Sequence, residues 1–200
     1  MVGSVVSAKI GGNAMIWHFR FGYVVFGLLL FRLVWGLVGG RWSRFASFIY
    51  APPTLWRYLR GNVDASQRLE VGHSPLGSLS VFALLGFLSF QVATGLVSDD
   101  EIANLGPLNR FVPSELGLQA TSWHKSWGQW ILLGLVGLHV LAIAFYFWRK
   151  HNLVRPMLTG TKLLPASTPA SADGLWQRLL ALAVAALSAA AVYLVVNLGR

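Results

Sequence analysis

Residues 122–148 read SWHKSWGQWILLGLVGLHVLAIAFYFW, and they decide the fold. The stretch holds two His and one Lys but no Asp, Glu, Arg or Pro. A helix needs about 20 apolar residues to cross the hydrocarbon core of a bilayer, and this stretch exceeds that length. Three others reach it, at 14–38, 76–97 and 176–198. Pro75 stands at the first turn of the second span, where its missing N–H has no helical partner to lose. Pro52, Pro53, Pro107, Pro113, Pro156, Pro165 and Pro169 all fall between spans. The pattern predicts an all-α integral membrane helical bundle with four visible transmembrane helices. Residues 1–13 form a tail on the periplasmic side, 14–162 the bundle, 163–175 a linker containing PASTPASA (165–172), and 176–198 a last span.

Composition agrees with this assignment. The 200 residues are 55% hydrophobic and 12% charged, half the roughly 25% of an average soluble domain. The net charge of +9 comes from 16 basic and 7 acidic residues. The basic residues sit in loops between apolar runs and make no continuous soluble face, so nucleic acid is not the expected partner. The absence of cysteine excludes disulfides, thiolate zinc sites, iron–sulfur clusters and covalently attached c-type haem. A metal must then be held by His, carboxylate or Met, and there are five His.

The loop after the first visible span carries Arg41, Arg44, Arg57, Arg60 and Arg68, and the loop after the third carries Arg149, Lys150, Arg155 and Lys162. Short cytoplasmic loops carry such an excess, so both are expected in the cytoplasm. The loop between them in sequence carries Asp99, Asp100, Glu101 and Glu115 against Arg110 alone and is expected outside. The expected location is the bacterial inner membrane, crossed several times. The first visible span then runs from outside to inside, which implies an earlier span; 1–13 is too short and too weakly apolar to be a signal peptide.

Ionisable side chains inside spans are costly and mark functional sites by default. His18 and His124 each lie near the outer end of a different span, at matched depth. Two neutral imidazoles facing each other at one level suit the two axial positions of a haem iron. Gly22 and Gly128, four residues further along each helix, leave room on the same face. Interfacial histidines snorkelling to water are the plainer alternative. His139 lies 15 residues past His124, roughly 22 Å deeper and within about 60° of the same face. Its surroundings are apolar, so it needs a metal or a hydrogen-bonding partner. Arg32, near the inner end of its span, either snorkels to the interface or clamps a carboxylate such as a haem propionate. Arg20, Lys125 and Trp17 flank the outer histidines and can serve outer propionates in the same way. Trp123, Trp127 and Trp130 read with Trp17 as an interfacial belt. His73, just before Pro75, is a surface group whose alternatives are a haem propionate, a quinone carbonyl, or neither; His151, in a basic loop, is expected to be solvated.

Four runs together, 17–53 (WHFRFGYVVFGLLLFRLVWGLVGGRWSRFASFIYAPP), 72–85 (GHSPLGSLSVFALL), 123–140 (WHKSWGQWILLGLVGLHV) and 152–162 (NLVRPMLTGTK), resemble the bacterial transmembrane cytochrome b561 family, which includes the cytochrome b subunits of nickel–iron hydrogenases. The resemblance covers nearly all of 14–162. It implies a bundle holding two b-type haems that exchanges electrons between quinone or quinol and a hydrogenase or c-type cytochrome. It also implies that His124 and His139 are the ligand pair of the family's fourth helix and His18 the ligand of its second. The fourth ligand of the family lies in an R-L-F-H-W-like motif of a first helix, which does not precede residue 14 here; 1–13 resembles the tail of that helix. The expectation is therefore one haem b held by His18 and His124, with a second at His139 in the intact family architecture. Membrane lipid is an obligatory partner, and association with further copies of the chain stays open. The competing reading is a non-redox small membrane subunit, or an assembly or transport protein, whose histidines only link helices.

Overall fold

The computed structural model describes residues 1–62, 71–150, 152–161, 164 and 168–199. Arg68, His151, Lys162 and residues 165–167 of the expected PASTPASA linker lie outside the described residues. The described chain is mostly helical, without strands beyond a single bridge pairing Asp99 with Leu105.

Helix α1 (Val2–Ile10) is followed by a tight turn and by α2 (Met15–Val38). Gly11 and Gly12 make that turn at φ 70° and 51°, in the left-handed region that costs glycine least. The turn folds α1 back along α2, bringing Gly3 against the Phe21 ring. After α2 come a short α3 (Pro52–Leu59) and α4 (Pro75–Val97), whose Ser74 hydroxyl accepts from the Gly77 N–H at 3.2 Å. That hydroxyl satisfies one of the N–H groups a helix start leaves open.

The next rod begins earlier than its apolar character foretells. It runs unbroken from Ser114 to Trp148, as α5 (Ser114–Trp123), one π turn (His124–Gly128) and α6 (Gln129–Trp148). Residues 114–121 are too polar to read as membrane span, yet they helicalise behind Pro113 and pack under the 98–112 loop. There the Thr121 hydroxyl donates to Asp99 O and accepts from Asp99 N, both at 2.8 Å. A short α7 (Val154–Thr159) and α8 (Leu175–Leu198) complete the chain.

Among the described residues, four helices are long and apolar enough to cross a membrane. α2 is flanked by α1, α4 and α8, and α4 packs in turn on α5, the π turn and α6. Close approach uses small residues, as bundles in lipid do: Gly27 faces Val192 across α2 and α8, and buried Ser188 turns its hydroxyl back to Val184 O at 2.8 Å. Leu28, Leu138, Leu141, Leu182 and Leu187 stand exposed along the spans. A soluble protein rarely shows so much apolar surface, and here lipid covers it. The two ends differ in charge. One carries the acidic loop (98–112) and the N-terminal turn, the other the basic segments after α2 and α6.

Candidate functional site

The acidic-loop end of the bundle brings His18 of α2 and His124 of the π turn together. Their rings lie 5.9 Å apart, centroid to centroid, and cross at 84°. Each Nδ1 is spoken for. That of His18 lies 2.8 Å from Ser4 O on α1, and that of His124 lies 2.9 Å from Gln91 O on α4. A carbonyl only accepts, so each Nδ1 carries the proton and each Nε2 keeps its lone pair. Metal-binding histidines are held in this way, with the far nitrogen donating to a carbonyl.

The centroid separation of 5.9 Å would accommodate a shared metal. Two imidazoles bound on opposite sides of one ion, at about 2 Å per nitrogen, have ring centres roughly 6 Å apart. No cluster of three or more His, Asp or Glu stands together among the described residues. Two neutral imidazoles are a poor cage for a bare ion, but they complete an iron whose other four positions a macrocycle fills. The residues present therefore fit a haem at this level.

His124 rests in a cradle made by residues 91–95 of α4, QVATG. Beside the Gln91 carbonyl, the Thr94 hydroxyl lies 3.2 Å from the same Nδ1. The Gln91 side-chain amide donates to His124 O at 2.8 Å. The Gln91 amide thus ties α4 to the backbone of the π turn. Gly95 lies under the ring, where a Cβ would come within 2.9 Å of His124 Cε1. Gln91 Oε1 and Trp123 Nε1 are buried beside this cradle without hydrogen bonds.

Gly22 has open space around it, as a neighbouring cofactor requires. Gly128 differs from the sequence reading. A Cβ there would strike Gln91 Oε1, so the room at Gly128 is taken by the Gln91 amide and not left for a ligand. Arg20 is exposed with its guanidinium 4.9 Å over the Trp17 ring, and Lys125 is exposed too. Trp127 and Trp130 are exposed at the same end.

His139 sits deeper on α6, its Nδ1 3.3 Å from the Ser80 hydroxyl of α4. The π turn adds one residue without its share of rotation. The offset between His124 and His139 therefore moves from about 60° on one side to about 40° on the other. Both imidazoles still lie on the side of the rod that meets α4. Among the described residues no second histidine faces His139.

At the basic-loop end, His73 lies against the fully buried Phe48, ring centroids 4.3 Å apart, and the Tyr50 hydroxyl donates to His73 O at 2.8 Å. Its Nδ1 is buried without a hydrogen bond. Burial, and then the nearby charge of Arg32, hold the His73 imidazole below its usual pKa. Arg32 donates to Ser43 O at 3.1 Å and lies 4.8 Å over the Phe45 ring, so its guanidinium reaches the interfacial segment after α2.

Gln91, Thr94, Gly95 and Ser4 escape the search for histidines and charges. Gln91 was detectable, since an amide in the middle of an apolar span needs a partner. Ser4 was not, because nothing in 1–13 marks the fold-back.

The sequence model of prokaryotic cytochrome b561 matches residues 2–160. The chain belongs to the prokaryotic cytochrome b561 family. No curated protein and no solved structure matches it. Family membership makes the chain a multi-pass membrane protein of b-type haem electron transfer, in contact with lipid. The match takes in α1 to α7 with both histidine levels and ends before α8.

Proposed function

We propose that this cytochrome b561 carries electrons between the quinone pool and a redox partner, a hydrogenase or a c-type cytochrome, in the bacterial inner membrane. The observation that carries the reading is the facing pair His18 and His124, 5.9 Å apart with both Nδ1 atoms committed to carbonyls. Haem b supplies a one-electron iron couple when bound. His18 and His124 hold it at the acidic-loop end as neutral ligands. The backbone of α1 and α4 fixes their tautomers, and the apolar faces of the spans keep water away. His139 marks a second level further across the membrane, oriented by Ser80, where the family architecture calls for a second haem.

At the basic-loop end, His73 and Arg32 supply the polar groups for a quinone. The buried Nδ1 of His73 is an unused hydrogen-bonding atom, and Phe45, Phe48 and Phe82 form an aromatic wall beside it. A neutral His73 accepts a hydrogen bond from a quinol hydroxyl. Arg20 and Lys125, exposed at the opposite end, suit haem propionates or an acidic surface of the partner.

The test is reduction of the purified, haem-loaded protein by a short-chain quinol, followed in the visible spectrum. The proposal predicts sharp bis-imidazole bands that appear with quinol and weaken in His73→Leu. Bands that appear with dithionite but never with quinol would remove quinone from the account, and a colourless protein from haem-replete cells would remove the haem.

A further inference from the structure

Residues 91–95 of α4 do more than pack against α6, since three of them converge on one imidazole. Gln91 O and Thr94 Oγ1 both lie within reach of His124 Nδ1, at 2.9 and 3.2 Å. The Thr94 hydroxyl also lies 2.9 Å from Gln91 O and 3.1 Å from Phe90 O. It spends its own proton on one of these carbonyls and so presents a lone pair to the ring. Gln91 Nε2 clamps the backbone of the π turn through His124 O. Gly95 removes the one Cβ that would collide with the ring edge. Opposite, His18 is fixed from a different helix by Ser4 O. Two imidazoles tethered by unrelated elements have no reason to be parallel, and they cross at 84°.

We propose that Gln91, Thr94 and Gly95 are positioning residues that set the plane and the proton-donating nitrogen of His124, and thereby impose crossed axial imidazoles on the iron. This rests on the reading of His18 and His124 as the ligands of one haem. The consequence is electronic. Each imidazole donates π density into the iron d orbital perpendicular to its own plane. Parallel rings split the two d orbitals concerned, whereas crossed rings leave them nearly equal in energy. Near-degeneracy gives oxidised low-spin iron a strongly anisotropic paramagnetic signal with one large g value, in place of the rhombic three-line signal of parallel rings. The hydrogen bonds act on potential as well. An acceptor on Nδ1–H makes the ligand more basic and favours the ferric state.

Three variants of the full-length, haem-loaded protein test this, read by paramagnetic resonance and redox titration. The unaltered protein is expected to show the large-g signal. Thr94→Val, nearly isosteric, removes one acceptor and shifts the couple toward the reduced state severalfold, at 59 mV for each factor of ten in a one-electron couple. Gly95→Ala forces the ring to turn, so the large-g signal moves toward the rhombic type or the haem of this site is lost. Gly86→Ala, on the same helix with open space around it, leaves signal and potential unchanged. His124→Ala run in parallel separates two failures. If it keeps the full low-spin spectrum, the ligand reading falls. If it loses that haem while Gly95→Ala and Thr94→Val match the unaltered protein, the cradle is merely packing and the proposal falls. A rhombic signal from the unaltered protein overturns it directly.

Discussion

Replacing Gly128 by Ala tests whether the π turn is held by Gln91. A Cβ at 128 meets Gln91 Oε1, and the amide that donates to His124 O at 2.8 Å must then swing away. A buried amide that loses its partner in this way costs about 1–3 kcal/mol. Ala is a better helix former than Gly by about 1 kcal/mol, so a control must share that gain. Gly134→Ala does so, since it lies on the same rod with nothing near its Cβ position. The difference between the two variants isolates the displaced amide at about 1–3 kcal/mol. For a chain of this size that lowers the unfolding midpoint by roughly 2–12 °C relative to the control. The assay is loss of the haem Soret band on heating in detergent. Equal midpoints for Gly128→Ala and Gly134→Ala would refute the argument that Gln91 braces His124.

Three further outcomes follow from the other end and from the loop. Phe48 is 1% exposed and touches His73, Phe45 and Phe82, so Phe48→Ala should destabilise the basic-loop end by about 3–5 kcal/mol, measured by denaturant unfolding in detergent. His73 has a folded pKa held below its unfolded value near 6.5, so its contribution to stability is complete above pH 6.5 and is lost as pH falls from there toward the folded value. His73→Phe should flatten that part of the stability profile, and an unchanged profile would show that another group titrates. Asp100 feels some desolvation, which raises its pKa, but hydrogen bonds from Asn104, Ala103 and Ile102 outweigh it and hold the carboxyl well below the usual range. Protection of the 100–104 amides from hydrogen exchange should therefore persist below pH 4 and vanish in Asp100→Ala.

The spans were legible because lipid imposes a simple rule: about 20 apolar residues in a row and no charge without a purpose. The ends expected at 38, 97, 148 and 198 coincide with those of α2, α4, α6 and α8. The rule says nothing about amphipathic extensions, which is why the rod starts at Ser114 and not near residue 122. The depths of His18 and His124 follow from counting residues, and the structure places their rings in contact. Counting failed where local geometry intervenes. A π turn has no apolar signature, so neither the shifted face of His139 nor the occupied space at Gly128 could be read from spacing. The fold-back that puts Ser4 O on His18 depends on two glycines at positive φ, a backbone event that hydropathy does not record.

The central claim is that His18 and His124 hold one haem between them, and haem content by pyridine haemochrome on matched single variants tests it most directly. His18→Ala and His124→Ala should each lose the same one equivalent, together with its low-spin bands, while the double variant loses no more than either alone. A full low-spin spectrum retained by His18→Ala, or losses that add in the double variant, would show that the two imidazoles do not share an iron.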